Sequence, residues 1–422
     1  MTTALLYQAD VGAAPLDNET LFTRSKYIEV GAEYEYSDNT YKVTNGEQSG
    51  TTSLGDIELG YEQLGKSNEI AINYTAEYQK QSESEDGESS SWIGNTTISQ
   101  DLFSENLVFN LEHTRQRYII DQNIAGIEDN QSERDLLDLG LQWFIPYTER
   151  TTFVLGVAHE EVWFNDTGST DSNSNTGQVS WQYALNPEVQ LQLSYFGTEN
   201  NFDEDDLDYN EHILDAQITS QYRLGTYSFN MGRTWIQGSD NDYNDLQYGM
   251  SIDALLGRHL LALNLSRSFT NSSAQVGESN ELDFTENNLF WRTSVSLTHQ
   301  YTMLDERLVS NMRLYFNNDE NAFTIDSDTT EDRDRYGIYG QLLWSLTEKL
   351  SSSISADYSE ADITTGGKRQ YLEAEIYGRY NFTDSLYIQF TVALEKQGND
   401  QDTLSYPPYT ELSYATRIAY RY

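Results

Sequence analysis

The residues able to do chemistry in this chain are few and dispersed. Its five histidines, His113, His159, His212, His259 and His299, share no motif. His159-Glu-Glu-Val-Trp163 lacks the second histidine of a zinc-binding His-Glu-x-x-His helix and falls on a stretch with strand periodicity. No Gly-x-Ser-x-Gly elbow and no phosphate-cradling loop occurs. The chain has no cysteine, which excludes disulfides, thiolate nucleophiles, thiolate metal sites and c-type haem attachment. Three acidic stretches, Asp203-Glu-Asp-Asp206, Asp240-Asn-Asp242 and Asp326-Ser-Asp328, offer oxygen ligands suited to Ca²⁺, but none has EF-hand spacing. They read as solvated loops sharing divalent ions with an anionic surface. The expectation is therefore a protein that is not an enzyme and holds no cofactor and no resident metal.

Charge narrows the partners further. Lys plus Arg is 25 against 68 Asp plus Glu, a formal net charge of −43, and phosphate recognition needs a basic footprint, so no nucleic-acid partner is expected. Hydrophobic residues make up only 37% of the chain and the mean hydropathy is −0.65, values that suit a disordered chain. Yet there are 31 Tyr, 16 Phe and 7 Trp, too many aromatics for disorder. A barrel in which only alternate residues meet lipid reconciles the two. The five prolines fit long uninterrupted ladders. No apolar run approaches the ~18 residues of a membrane helix. The start, Met1-Thr-Thr-Ala-Leu-Leu6, has no basic n-region, so a secretory signal is expected to have been removed or replaced.

The elements that position the side chains are strands of period two. Early in the chain Ile28, Val30, Ala32, Tyr34 and Tyr36 alternate with Glu29, Gly31, Glu33 and Glu35. At the end Leu412, Tyr414, Thr416, Ile418, Tyr420 and Tyr422 alternate with Ser413, Ala415, Arg417, Ala419 and Arg421. Between them the pattern repeats to give about 20 strands, 18 to 22 once uncertain strand ends are allowed for. One class of connection is short, such as Leu224-Gly-Thr226, Leu256-Gly-Arg258 and Thr347-Glu-Lys349. The other is long and rich in Asp, Asn and Ser, such as Asn165 to Gly177, Gly238 to Asp245 and Asn317 to Asp334. This predicts an all-β, transmembrane, up-and-down antiparallel barrel over 22–422, with short periplasmic turns and long acidic extracellular loops in the bacterial outer membrane. Residues 1–21 show no period and read as a periplasmic or lumenal segment. Closure of the last strand on the first puts Arg417 and Arg421 on one face with Glu29 and Glu33, and predicts ion pairs kept weak by lumenal water.

The phase opposite the apolar residues gives the pore-lining set: Glu33, Glu35, Glu77, Asp215, Arg223, Arg292, Arg313, Tyr339, Asp357, Glu373, Glu375, Tyr377, Arg379 and Arg417. Amides such as Gln192, Gln217 and Asn230 join it. Aromatics near strand ends, Trp92, Trp143, Trp181, Trp291, Trp344, Tyr420 and Tyr422, read as interfacial girdles.

A final amphipathic strand ending on Tyr422 resembles the terminal strand of bacterial outer-membrane β-barrels, where Tyr420 and Tyr422 would serve as the assembly signal read by the barrel-assembly machinery. Turns such as Thr347-Glu-Lys-Leu350 and Thr383-Asp-Ser-Leu386, with the Asp/Asn-rich loops, resemble the barrel family associated with exopolysaccharide synthesis and export loci. That resemblance implies passage of a secreted polysaccharide and a periplasmic polysaccharide-export partner, and it carries over no catalytic residue. The residues themselves support a broader expectation, a conduit for hydrophilic solute surrounded by outer-membrane lipid and lipopolysaccharide. A structural or interaction barrel, either a sheath around a partner protein or a receptor using acidic outer loops, is the alternative.

Overall fold

The computed structural model describes residues 23–39, 49–82, 88–103, 106–119, 131–165, 171–203, 208–238, 242–271, 289–303, 307–321, 332–363, 367–399 and 408–422. They form β1 (Thr23–Ser37), β2 (Gly50–Leu64), β3 (Asn68–Gln81), β4 (Glu88–Leu102), β5 (Leu107–Ile119), β6 (Gln131–Thr148), β7 (Thr151–Phe164), β8 (Ser172–Asn186), β9 (Val189–Phe202) and β10 (Tyr209–Tyr222). The second half comprises β11 (Gly225–Gly238), β12 (Asp242–Leu256), β13 (His259–Asn271), β14 (Leu289–Met303), β15 (Leu308–Asn321), β16 (Arg333–Ser345), β17 (Leu350–Ile363), β18 (Gly367–Asn381), β19 (Leu386–Asn399) and β20 (Tyr409–Arg421).

All 20 strands belong to one sheet. Each pairs antiparallel with its sequence neighbours, and β20 pairs with β1 from Glu29↔Arg421 to Ser37↔Ser413, so the sheet is a closed cylinder. Below that ladder Ile28 and Tyr422 exchange both backbone hydrogen bonds. Closure removes the unpaired edge that lipid would not tolerate.

Alternation fixes the two faces. Val30, Ile57, Leu155, Val179, Phe229, Ile354, Ile376, Phe390 and Ile418 are exposed on the outside, while the residues between them point inward and crowd together on the concave side. An apolar belt around the whole cylinder is far larger than a soluble monomer exposes, and it is stable only against hydrocarbon.

Two of the expected loops are partly strand. Of Gly238 to Asp245 only 239–241 separate β11 from β12, and β8 begins at Ser172, inside the expected loop Asn165 to Gly177. These strand ends rise above the belt and, Tyr243 apart, are polar on both faces, so no apolar period marks them. The tips of the long connections, and the segment 1–21, lie outside the described residues.

The ladder opens at two places on the long-loop rim. β4 and β5 pair only up to Gly94↔Arg115, although β4 continues back to Glu88 on β3 and β5 continues to Ile119 on β6. β12 and β13 pair only up to Tyr248↔Arg267, although β12 stays on β11 to Asp242 and β13 stays on β14 to Asn271. Gly94, with φ +153°, sits at the first opening, and a Cβ there would lie 2.2 Å from the Asn73 carbonyl oxygen.

Beyond the second opening the sheet overlaps itself. Phe269 and Trp291 share the outward phase of Leu265 and Leu297, yet they pack with Phe202, Tyr209 and Ile236 from the inner face of β9–β11. Trp291 is thus not the girdle residue expected from sequence: it is only 6% exposed, because β13–β14 passes behind its neighbours at that height.

Candidate functional site

The inner surface is the candidate site, and the strand register assembles it. Thirteen of the fourteen residues expected on the pore wall, Glu33, Glu35, Glu77, Asp215, Arg292, Arg313, Tyr339, Asp357, Glu373, Glu375, Tyr377, Arg379 and Arg417, occupy the phase turned away from the belt. Arg223 is the exception. β10 ends at Tyr222, and Arg223 lies exposed in the two-residue turn before Gly225, so the alternation stops one residue short of it.

The wall has two chemically distinct arcs. On β8, β9 and β11 it is amide and hydroxyl. Gln178 Nε2 donates to Ser180 at 2.8 Å, Ser180 donates to Ser194 at 2.9 Å, Gln192 donates to Ser194 at 2.9 Å, and Thr176 and Thr198 bond at 2.9 Å. The buried Gln178 Oε1 and Asn200 Nδ2 have no hydrogen-bond partner among the described residues. The other arc, β15 through β20 and on to β3, is charged and aromatic. Arg313, Tyr339, Asp357, Glu373, Glu395 and Glu411 stand directly opposite one another on six successive strands. Like charges opposite one another are unfavourable, and each carboxylate here has a donor: Tyr315 to Asp357 and Tyr371 to Glu373, both 3.4 Å, Tyr409 to Glu395, and Ser37 to Glu411 at 2.6 Å.

Arginines in this arc lie on rings. Arg313 stands 5.2 Å from the Tyr315 centroid, Arg379 3.6 Å from Tyr387 and Arg421 4.3 Å from Tyr27. Such contacts hold the guanidinium groups flat on the wall. Among the described strands the inner face carries no lysine, and its carboxylates outnumber its arginines.

The seam between β20 and β1 shows how the charged arc is held. Arg417 donates to both oxygens of Asp56 at 2.8 Å and to Glu29 at 3.1 Å, Arg421 Nε donates to Glu29 at 2.8 Å, and the Tyr387 hydroxyl also donates to Glu29. The ion pairs expected from sequence form on Glu29. Glu33 faces Arg417 across the ladder, but the guanidinium turns to Asp56, a partner that alternation alone does not single out. Gly31 makes this turn possible, since a Cβ there would come within 2.4 Å of Asp56 Oδ1. The expectation of weak, water-screened pairs is corrected for Arg417, whose partners Glu29 and Asp56 are 2% and 1% exposed, whereas Arg421 is 45% exposed and its pair is open to screening.

All five histidines lie on the outward phase. His113 bridges the Tyr74 hydroxyl at 2.5 Å and Asp135 at 3.2 Å, His212 meets the Tyr195 hydroxyl at 3.0 Å, His159 meets Asn175 at 3.0 Å, and His259 and His299 meet each other at 3.0 Å. None faces the lumen. Of the acidic stretches singled out for Ca²⁺, only Asp203 and Asp242 are among the described residues.

No protein-family model and no curated protein sequence matches the chain. Solved structures do match in fold. A single-residue mutant of the ferric enterobactin receptor PfeA from Pseudomonas aeruginosa aligns over 94% of this chain and 80% of its own, at 10% identity and a TM-score of 0.53. The copper transporter OprC aligns over 96% and 81%, at 10% identity and a TM-score of 0.52. The siderophore receptor PirA from Pseudomonas aeruginosa aligns over 94% and 80%, at 13% identity and a TM-score of 0.47. At these identities the likeness is one of fold: the chain is an outer-membrane β-barrel, its short-turn rim periplasmic and its long-loop rim extracellular.

Proposed function

We propose that this barrel is a conduit for hydrophilic solute across the outer membrane, and that its cargo is a neutral, hydroxyl-rich polymer such as a secreted polysaccharide. The observation that carries the reading is the inner face itself, predominantly polar around a cylinder of 20 strands, more than the 16 to 18 at which a barrel encloses an aqueous channel. The half-buried amides of the first arc, such as Gln182, Gln192 and Asn230, offer the donors and acceptors that a sugar needs, and ring-bearing residues on the facing arc offer stacking surfaces. The surplus of carboxylates disfavours an acidic polymer. The thirteen pore-lining residues that face the lumen supply the selectivity, Tyr420 and Tyr422 supply the assembly signal, and a periplasmic export protein and lipopolysaccharide are the expected partners. No likeness to solved structures bears on export, which rests on the wall chemistry alone.

A second reading is a barrel that holds a polypeptide in its lumen. It is favoured by the apolar side chains Val154 and Val162 on the inward phase of β7, which a wet channel does not require. Single-channel recording in planar bilayers separates the two. A conduit conducts steadily and is blocked from the periplasmic side by a neutral polysaccharide, whereas a sheath conducts only when stripped of its partner. A barrel that never conducts refutes the conduit.

A further inference from the structure

The two openings in the ladder have the same construction, and together they divide the extracellular end of the wall into two leaves. One leaf runs from β5 to β12, the other from β13 through β20 and on to β4. At each junction the leading strands of one leaf pass behind the trailing strands of the other. Arg117 lies on the outward phase of β5, yet it donates to Glu77 at 2.7 Å and to Ser91, both on the inner face of β3–β4. Arg267 lies on the outward phase of β13, yet it donates at 2.9 Å to Asp245 on the inner face of β12. A guanidinium on the oil-phase side of one strand reaches an inner-face carboxylate only if its strand stands inside the wall.

Further contacts hold each junction. Arg115 pairs with Glu133 at 2.5 Å, Glu133 also accepts the Trp92 N–H of the β4 edge at 3.3 Å, and Arg267 pairs with Glu320 at 2.9 Å. The overlaps run in the same sense around the cylinder, so sliding both leaves outward along these contacts widens the mouth without breaking a single ladder. What resists the slide is side-chain contact: arginine pins at both junctions and the Phe269–Trp291 packing at one.

Resting on the conduit reading, we propose that the extracellular mouth is an adjustable aperture, in which the two overlapping leaves slide apart to admit bulky cargo and the Arg117 and Arg267 pins set the resting width. A closed ladder has one circumference for a given strand number and stagger. A ladder interrupted twice at one end has no such constraint there.

The test measures the largest polyethylene glycol that enters the pore, read from its effect on single-channel conductance. The chain has no cysteine, so Glu77→Cys/Arg117→Cys and Asp245→Cys/Arg267→Cys each place one thiol pair across a junction. Bridging with a short bifunctional methanethiosulfonate, then cleaving with reductant, compares one folded protein with itself. Bridging is expected to lower the size cut-off and cleavage to restore it, while Arg117→Ala/Arg267→Ala raises the cut-off above that of the parent. Equal cut-offs in bridged and cleaved protein overturn the aperture and leave the conduit standing. Absence of conductance in every form overturns the conduit and the aperture with it.

Discussion

Replacing Arg417 with Met removes the cation that joins β20 to β1 and β2 while keeping the length of its stem. Asp56 then loses both of its 2.8 Å hydrogen bonds, and among the described residues no other donor reaches it. Glu29 keeps Arg421 and Tyr387, so the damage concentrates on Asp56. With that side chain 1% exposed, solvent screening offers little relief, and breaking one side of a buried pair costs about 3–5 kcal/mol. The expected loss is near the lower end of that range, because Glu29 stays satisfied. Urea unfolding of protein folded into phosphatidylcholine vesicles reads the change as a shift in midpoint at constant slope. Adding Asp56→Asn, which removes the stranded charge, is expected to recover more than half of the loss. A change below about 1 kcal/mol for the single variant, the level of exposed pairs, or a double variant no better than the single one, refutes the claim that this junction is a dry ion pair.

Gly94→Ala forces a Cβ against the Asn73 carbonyl at a φ that side chains avoid, and a loss of about 1–3 kcal/mol in the same unfolding assay is expected. Trp291→Ala empties the cluster around Ile236, itself 0% exposed, and is expected to cost about 3–5 kcal/mol, whereas Trp344→Ala on the outer girdle costs much less. A salt gradient across a bilayer is expected to give a reversal potential of cation-selective sign, reduced by Glu373→Gln/Glu375→Gln; anion selectivity contradicts the acidic wall. Tyr422→Ser keeps the backbone pair with Ile28 and removes only an exposed ring, so, on the proposed assembly-signal role, it is expected to lower the folded yield in outer membranes without lowering the stability of protein refolded in vitro.

The phase of nearly every strand was legible in the sequence because lipid and water impose opposite demands on alternate residues. Ile28 to Tyr36 and Leu412 to Tyr422 show this as clearly as any stretch. The overlaps were not legible. Alternation says which face a residue occupies but not whether its strand stands in the wall or behind it, so Trp291 and Phe269 carry the same mark as Leu297. The strand ends at Ser172–Asn175 and Asp242–Asp245 carry no apolar period for a related reason: above the membrane neither face need be apolar. Arg417 was recognisable as a seam residue, but its choice of Asp56 over Glu33 depends on the space left by Gly31, which no period encodes.

The most direct measurement is a spin-label scan of β18 in the cysteine-free background, one residue at a time from Leu372 to Tyr380, in lipid bilayers. Labels at 372, 374 and 376 are expected to collide with dissolved oxygen, and those at 373, 375 and 377 with a water-soluble nickel chelate, in strict alternation and opposite phase. Accessibility to the chelate at every position, or a period near 3.6, contradicts a wall with oil on one side and a wet lumen on the other.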